Sequence, residues 1–483
     1  MRALVSLALL PLLIHRIGAA PTGLFYFATT LTGYFTAVEY GLGTSVTKYV
    51  AEHRATEEAE QLGSILRASL ALMVGIGVAV AVAIALLAVL GGAALFGGST
   101  TGSQAVPALL VAAATALFYW PSRLGNAALQ GLERYDLGAI IQMISSAVML
   151  GLIFVASEMT HSVAVLTAIF GVMLVVEGAV AGAISWPHLG LRRGVGRWRG
   201  AHLRPVLGFG GGLFLMGMSD TLVYESDRIV LAAFVGAAAI AVYQIALTPH
   251  SGVRLISGLI GAALVSTSSR LVAQKRSARL RALVLVSSLY SVVLTVPFVV
   301  LIFVLARPIL EAWIGPSYGR YAVYVQIFVS YWFVHANTGV LASAITGIGN
   351  IRLFVWLTLI GALVTLGLSI GLVSAWGTVG VIWGTVIPAW LGVTIWMHYA
   401  LRHVGIGNLD YAREVLAPGY LPILAWTVPV VVLARVLQPA GLLGVGAFCA
   451  VALAGLWLSL LPMLRGRWRG LAFVDAVPVV APE

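Results

Sequence analysis

The stretch ALMVGIGVAVAVAIALLAVL, Ala71–Leu90, has no charged or hydrogen-bonding side chain along its whole length. A helix that crosses the hydrocarbon core of a bilayer needs about 20 consecutive apolar residues. A spanning β-strand would instead alternate apolar and polar positions over about 10 residues, and this stretch is apolar on every face. The sequence therefore predicts a transmembrane helix here.

Similar stretches recur along the 483 residues, of which 60% are hydrophobic and only 9% are charged. A soluble domain keeps about a quarter of its residues charged because its surface faces water. Lipid is therefore the expected solvent of this chain. We predict an all-α integral membrane protein with about fourteen spanning helices. They lie roughly at residues 1–17, 23–43, 64–91, 105–128, 137–156, 161–184, 205–229, 238–266, 281–305, 321–346, 352–374, 378–400, 417–437 and 441–463.

Alternate loops between these segments differ in charge. One set carries most of the Lys and Arg, including Arg134, Arg270 and Arg402, whereas Gly97–Val106 and Ser374–Gly380 carry none. Because basic residues are enriched in cytoplasmic loops, both termini are expected in the cytoplasm. The net charge of +11 is spread over short loops rather than one surface, so no nucleic-acid partner is expected.

The loops also restrict the chemistry that the protein can perform. The longest extracytoplasmic loop, Arg307–Arg320, contains a single acid, Glu311, and no loop is long enough for a catalytic domain. The one cysteine, Cys449, excludes an intrachain disulfide and a thiolate metal cluster. We therefore expect no enzyme activity, no catalytic residues, no metal site and no cofactor.

Three short motifs recur in the same order in both halves of the chain. Gly18 corresponds to Gly236 at an offset of 218 residues, Lys48 to Arg270 at 222, and Gly131 to Gly347 at 216. The matched stretches are GAAPTGLFY with GAAAIAVYQ, TKYVAE with SRLVAQ, and ALQGLERYDL with AITGIGNIRL. Three matches at nearly one offset indicate an internal repeat.

An even number of predicted helices separates the copies, so they share one orientation and relate by an axis along the membrane normal. We predict two six-helix lobes plus a C-terminal helix pair. The N-lobe and a cytoplasmic linker cover 1–200, the C-lobe 201–404, and helices 13–14 with a cytoplasmic tail 405–483. The first helix is shorter than its counterpart, and we favour a start codon upstream of Met1 over an abbreviated helix.

Several stretches resemble the polysaccharide-transporter branch, the Wzx-type flippases, of the multidrug/oligosaccharidyl-lipid/polysaccharide (MOP) exporter superfamily. They are the stretches YGLG with TKYVAE, LQGLERYDL, and SDRIVL, within residues 40–52, 129–137 and 226–231. The resemblance implies an inner-membrane protein that flips an undecaprenyl-pyrophosphate-linked oligosaccharide to the periplasmic leaflet for surface polysaccharide biosynthesis. The expected partners are this lipid-linked oligosaccharide, membrane lipids, a polysaccharide polymerase and glycosyltransferases.

Ionisable side chains inside predicted spans are the candidate site residues, because each costs about 2.5–3.5 kcal/mol at the bilayer centre. Asp220 and Asp227 lie seven residues apart on one face of segment 7. They are candidates for uptake of a coupling proton or cation, as is Glu39 in segment 2. The alternative for Asp227 is a cap at the extracytoplasmic helix end, with Arg228 reaching the interface.

Segment 8 places a second set of polar residues on one face. Tyr243, His250 and Arg254 follow at helical spacing. The planar guanidinium of Arg254 suits phosphate oxygens, which makes Arg254 and His250 candidates for the substrate headgroup. The alternative for Arg254 is a structural ion pair with a carboxylate such as Asp220.

Segment 4 carries Arg123, Asn126 and Gln130 at i, i+3 and i+7. These side chains either hydrogen-bond sugar hydroxyls or hold neighbouring helices together. Glu177 in segment 6 has no partner within its own segment.

The sequence favours the lipid-linked oligosaccharide flippase over two alternatives and does not distinguish it from a third. A cation-coupled drug antiporter of the same superfamily would need a cavity dominated by carboxylates, against which Arg123 and Arg254 argue. A lipid II flippase is not distinguished from the first choice. A polytopic glycosyltransferase or polymerase is disfavoured by the short loops.

Overall fold

The computed structural model describes residues 2–33, 36–55, 59–96, 100–189, 203–262, 264–349 and 352–476. These residues form helices joined by short turns, and no strand occurs among them. Contacts between Cα atoms group the chain into two compact units. The first unit comprises Met1–Gln244 and Thr358–Gly384, and the second comprises Ile245–Leu357 and Thr385–Glu483. The lobe division at residues 200 and 404 stays a prediction.

The first eight helices all belong to the first unit, together with one 3₁₀ turn. They are α1 Arg2–Ile17, α2 Ala19–Gly33, α3 Thr36–Ala55, α4 Ala59–Phe96, α5 Thr100–Gly131, α6 Tyr135–Met159, α7 Val163–Ser185, the 3₁₀ turn Trp186–Leu189, and α8 Leu203–Phe234. The buried apolar core of this unit lies between α3, α4 and α5, with Trp120 fully enclosed.

The remaining helices lie mostly in the second unit. The first residues of α9 and the middle of α16 belong to the first unit. The remaining helices are α9 Ala237–Ala262, α10 Leu264–Ala273, α11 Ser277–Val304, α12 Ala306–Trp313, a 3₁₀ turn Pro316–Tyr321, α13 Ala322–Ser330, α14 Trp332–His335, α15 Thr338–Ile348, α16 Arg352–Val404, α17 Asn408–Tyr411, a π turn Ala412–Leu416, α18 Ala417–Leu437 and α19 Gly441–Ala476. The largest apolar cluster of the second unit surrounds α11.

Eight helices in the described part of the chain are long and apolar enough to cross a membrane. One of them, α16, is two helices separated at Gly377, where φ is 56° and ψ is −133°. This kink falls within the predicted loop Ser374–Gly380. The other predicted segments lie on α1 to α3, α8, α9 and α13 to α15. The prediction of an all-α, multi-pass membrane fold is confirmed.

The first and third repeated motifs form matching turns in the two halves of the chain. Gly18 separates α1 from α2 with φ of 88°, and Gly236 separates α8 from α9 with φ of 110°. At the end of α5, Glu133 has φ of 60°, and Gly349 after α15 has φ of 88°. Left-handed backbone of this kind ends a helix and redirects the chain. The repeat seen in the sequence is therefore also a repeat of local structure.

The second repeated motif needs a different alignment. A Cβ atom on Gly131 of α5 would lie 2.6 Å from Cβ of Val50 on α3, and one on Gly347 of α15 would lie 2.6 Å from Cβ of Ser268 on α10. Glycine at both places lets two helices approach closely. Val50 and Ser268 differ by 218 residues, so the offset of 222 taken from the sequence is wrong by about one helical turn.

Candidate functional site

A cavity of about 240 Å³ that has apolar walls and several polar groups lies within the first unit, lined by α1, α2, α5 to α8 and the start of α9. Its apolar walls include Phe25 and Phe170, whose rings meet edge to face with centroids 5.9 Å apart. Its polar lining residues include Tyr26, Thr30, Glu177, Glu225, Arg228 and Gln244. A polar cavity among membrane-spanning helices is typical of a substrate pathway.

Arg228 is the cation of this cavity. It forms an ion pair with Glu225, one turn earlier on α8, and its Nη1 also donates to Oγ1 of Thr30 on α2. Its Nη2 donates to Oε1 of Gln244 on α9 at 2.9 Å. Arg228 is only 8% exposed. Its guanidinium therefore faces neighbouring helices of the first unit, and its depth in the membrane stays a prediction.

Two buried polar atoms of the lining have no hydrogen-bond partner among the described residues. They are the hydroxyl of Tyr26 and Nε of Arg228. Each belongs to a side chain that is 8% exposed. Buried polar groups are normally satisfied, so these two atoms are exceptions among the polar groups of the lining residues.

A second buried ion pair joins α5 to α7. Nη1 of Arg123 lies 3.2 Å from Oε1 of Glu177, and the two side chains are 9% and 6% exposed. In the amide orientation that satisfies both groups, Oδ1 of Asn126 accepts from Nη1 of Arg123 at 2.6 Å. The guanidinium also lies over the ring of Tyr119, 5.4 Å from its centroid. The sequence did not show that Arg123 is the partner of Glu177.

The three residues of segment 4 do not all join this cluster. Arg123 and Asn126 are brought together, as their spacing on the helix suggests, whereas Gln130 is exposed near the end of α5. Gln130 is therefore separated from the cavity lining.

Asp227 directly precedes Arg228 on α8, yet it belongs to a different polar cluster. It is completely buried. Its Oδ2 accepts from the hydroxyl of Tyr243 on α9 at 2.8 Å, and its Oδ1 accepts from Oγ of Ser369 on α16 at 2.9 Å. The carboxylate thus joins three helices of the first unit.

His250 and Arg254 belong to the second unit. His250 is completely buried, with Nδ1 3.1 Å from the carbonyl oxygen of Phe328 and its ring stacked on the Phe328 ring at 4.4 Å. Arg254, one turn further along α9, is exposed. The face predicted for segment 8 is therefore divided between an enclosed histidine and an accessible arginine.

Two further candidates have their side chains outside the described part of the chain. Asp220 lies on α8 and Glu39 lies on α3. Their assignment as ion-coupling residues stays a prediction.

Some cavity residues could have been found from the sequence and others could not. Glu225 stands three residues before Arg228, a spacing at which opposite charges on a helix interact. Thr30 and Gln244 come from other helices, and nothing in their local sequence links them to Arg228.

Three solved transporter structures share this fold. A multidrug resistance MATE family transporter of the MOP superfamily, in an inward-facing conformation, matches with a TM-score of 0.66 and 17% identity over 83% of this chain and 94% of its own. The lipid II flippase MurJ, in an inward closed conformation, matches with a TM-score of 0.69 and 13% identity over 95% of this chain and 97% of its own. The MATE multidrug transporter DinF-BH matches with a TM-score of 0.60 and 15% identity over 83% of this chain and 93% of its own. The fold is therefore that of MOP superfamily transporters.

No curated protein matches the sequence. The family model described as "Polysaccharide biosynthesis protein" matches residues 52–323, which is more than half of the 483 residues. The matched region contains the ion pairs Arg123 with Glu177 and Arg228 with Glu225. The chain belongs to the polysaccharide biosynthesis protein family and has the fold of MOP superfamily transporters.

Proposed function

We propose that this protein is a flippase that moves an undecaprenyl-pyrophosphate-linked oligosaccharide from the cytoplasmic to the periplasmic leaflet for surface polysaccharide biosynthesis. The observation that carries the proposal is the polar cavity inside membrane-spanning helices of a polysaccharide biosynthesis protein. Flipping requires a polar headgroup to cross a medium that cannot hydrogen-bond it, and the cavity supplies hydrogen-bonding groups there. The protein would lie in the inner membrane with both termini cytoplasmic, and would open alternately to either side.

Arg254 is the residue we assign to the substrate pyrophosphate. Arg254 is exposed, whereas Arg123 and Arg228 are buried. An exposed planar fork can be reached by a headgroup and can bind phosphate oxygens in pairs. His250 would support the helix beside it, because its ring is enclosed by Phe328.

The first experiment measures flipping by the protein in liposomes that carry a prenyl-labelled undecaprenyl-pyrophosphate saccharide in one leaflet. Wild type is expected to move the lipid, and Arg254→Ala to lower the rate by about 10-fold or more, since hydrogen bonds to charged groups contribute about 1.5–3 kcal/mol each. Arg435→Ala, which removes an exposed arginine of α18 in the same unit, serves as the matched control. Wild type that moves no lipid-linked saccharide would overturn the proposal.

Asp227 is the residue we assign to ion coupling. Asp227→Asn keeps the shape of the side chain, and the hydroxyls of Tyr243 and Ser369 can rotate to satisfy the amide. The variant cannot gain and lose charge, so an imposed proton or sodium gradient is expected to stop accelerating flipping. The ratio of rates with and without the gradient measures this effect.

The exposed carboxylate of Glu158 provides the control for that ratio. Glu158→Gln is expected to respond to the gradient as wild type does, because this residue pairs with Arg16 at the surface of the first unit. A gradient response that survives in Asp227→Asn would show that coupling occurs elsewhere.

A cation-coupled antiporter is the second candidate, and one observation favours it. The cavity contains two carboxylates, Glu177 and Glu225, and both nearby arginines are neutralised by them. Because Glu177 neutralises Arg123, this arginine is weaker evidence against a cationic cargo than the sequence alone suggested. Exchange of an organic cation for protons or sodium by wild-type liposomes, without movement of lipid-linked saccharide, would favour this function instead.

A further inference from the structure

The charges around the cavity of the first unit balance. Arg228 pairs with Glu225, and Glu177 of the lining pairs with Arg123 behind it. These two ion pairs leave no net charge between them, and the neighbouring carboxylate of Asp227 is held in a separate cluster by the hydroxyls of Tyr243 and Ser369. Burying a charged ligand group beside a balanced set gains little attraction while its full desolvation cost remains. The cavity therefore favours an uncharged ligand, and neither a phosphate nor a free carboxylate.

The unpartnered atoms specify the hydrogen bonds that such a ligand must form. Nε of Arg228 is a donor only, whereas the hydroxyl of Tyr26 can both donate and accept. Both atoms lie on side chains that line the cavity and are more than nine-tenths buried. A ligand that offers hydroxyl groups can satisfy both atoms at once, because each hydroxyl has one donor hydrogen and two acceptor lone pairs.

The walls specify the shape of the ligand. Phe25, Tyr26 and Phe170 place aromatic surface beside the polar groups. A pyranose ring has an apolar C–H face and a rim of hydroxyls, so it matches a wall of both kinds. The volume of about 240 Å³ lies below the roughly 300–1,000 Å³ of sites for drug-sized ligands. The space holds one sugar ring, and the rest of an oligosaccharide would extend out of it.

We propose that this cavity is a subsite that binds one uncharged sugar residue of the cargo, with Nε of Arg228 and the hydroxyl of Tyr26 as its selective contacts. This inference rests on the proposed flippase function. The charge and size of this one sugar residue decide which lipid-linked saccharides are accepted.

The test compares three probes in proteoliposomes, each an undecaprenyl pyrophosphate labelled on its prenyl chain. One carries a single N-acetylhexosamine, one carries a single hexuronic acid, and one carries no sugar. Wild type is expected to flip the neutral-sugar probe with the lowest KM. Tyr26→Phe removes one hydroxyl without changing the ring, and is expected to lower the preference for the neutral sugar over the sugarless probe by about three- to tenfold.

Arg228→Lys tests the other contact. Lysine keeps the positive charge beside Glu225 but lacks the planar fork and the Nε–H group, so the same preference is expected to fall. Tyr290→Phe is the matched control. Its hydroxyl donates to the carbonyl oxygen of Leu464 in the second unit, so it also loses one hydrogen bond and should keep the wild-type preference.

The outcomes separate this inference from the proposed function. If wild type flips none of the probes, the flippase function itself fails. If wild type flips them but prefers the hexuronic acid, or if Tyr26→Phe and Arg228→Lys keep the wild-type preference, the flippase stands and the sugar subsite is wrong. Size-exclusion profiles of both variants establish that they are folded before transport is compared.

Discussion

Glu177→Leu is expected to lower the free energy of unfolding by about 3–5 kcal/mol, because it leaves the guanidinium of Arg123 buried without its carboxylate. The side chains of Arg123 and Glu177 are 9% and 6% exposed, so water compensates only poorly for the lost partner. Asn126 would still accept a hydrogen bond from the guanidinium but cannot neutralise its charge. Unfolding in detergent micelles, followed by circular dichroism, measures the change.

Two controls show whether burial of an uncompensated charge causes the loss. The double variant Arg123→Met/Glu177→Leu removes both charges and is expected to recover most of the stability, since apolar replacements of a buried pair are often neutral. Glu158→Gln breaks the ion pair between Glu158 and Arg16, whose side chains are 43% and 41% exposed respectively. This variant should lower the free energy of unfolding by at most about 1 kcal/mol. A double variant as unstable as Glu177→Leu would contradict this explanation.

The membrane fold was predictable because hydrocarbon allows few backbone solutions. An apolar run such as Ala71–Leu90 can only be a helix, and the structure places it within α4, Ala59–Phe96. The run marks the part of the helix that suits the bilayer, whereas the helix itself continues into polar sequence at its start. Hydropathy therefore predicted where each helix lies better than where it ends.

The interruption of segment 10 was not predictable in the same way. The sequence favoured one helix over residues 321–346, but the regular helical hydrogen bonding is interrupted at Tyr331 and again at Ala336, where the backbone itself stays right-handed helical. The hydroxyls of Ser257 and Ser291 donate to the Ala336 carbonyl oxygen at 3.2 and 2.6 Å. These contacts come from α9 and α11 and compensate for the missing helical hydrogen bonds. No glycine or proline within the break signals it.

In the candidate site, contacts between residues of one helix were predictable from the sequence, whereas contacts between different helices were not. The spacing on α5 correctly brought Arg123 and Asn126 together. The partners of buried charges came from elsewhere in the chain, since Glu177 lies 54 residues after Arg123. A buried arginine whose partner cannot be recognised in the sequence suggests an anionic ligand. Once Glu177 is known to neutralise Arg123, this reason to expect an anionic ligand no longer holds. For this protein the sequence could show which side chains are buried in the membrane, but not which of them neutralise each other.

Arg228→Met is expected to abolish flipping and to destabilise the first unit, because one guanidinium holds three helices together. It bonds to Glu225 on its own helix, to Thr30 on α2 and to Gln244 on α9. Removing it leaves the Glu225 carboxylate without its cation, which costs about 3–5 kcal/mol for a fully buried pair and less here, since Glu225 is 26% exposed. Thermal unfolding in detergent and flipping in liposomes measure the two effects separately.

The double variant Arg228→Met/Glu225→Gln distinguishes a structural role from a role in transport. It removes both charges, so the free energy of unfolding is expected to return to within about 1 kcal/mol of wild type. Flipping of the neutral-sugar lipid should stay about 10- to 100-fold below wild type, because a hydrogen bond from a charged donor contributes about 1.5–3 kcal/mol. Recovery of both stability and transport in the double variant would mean that Arg228 only joins the helices. Recovery of stability alone would place its guanidinium in contact with the cargo.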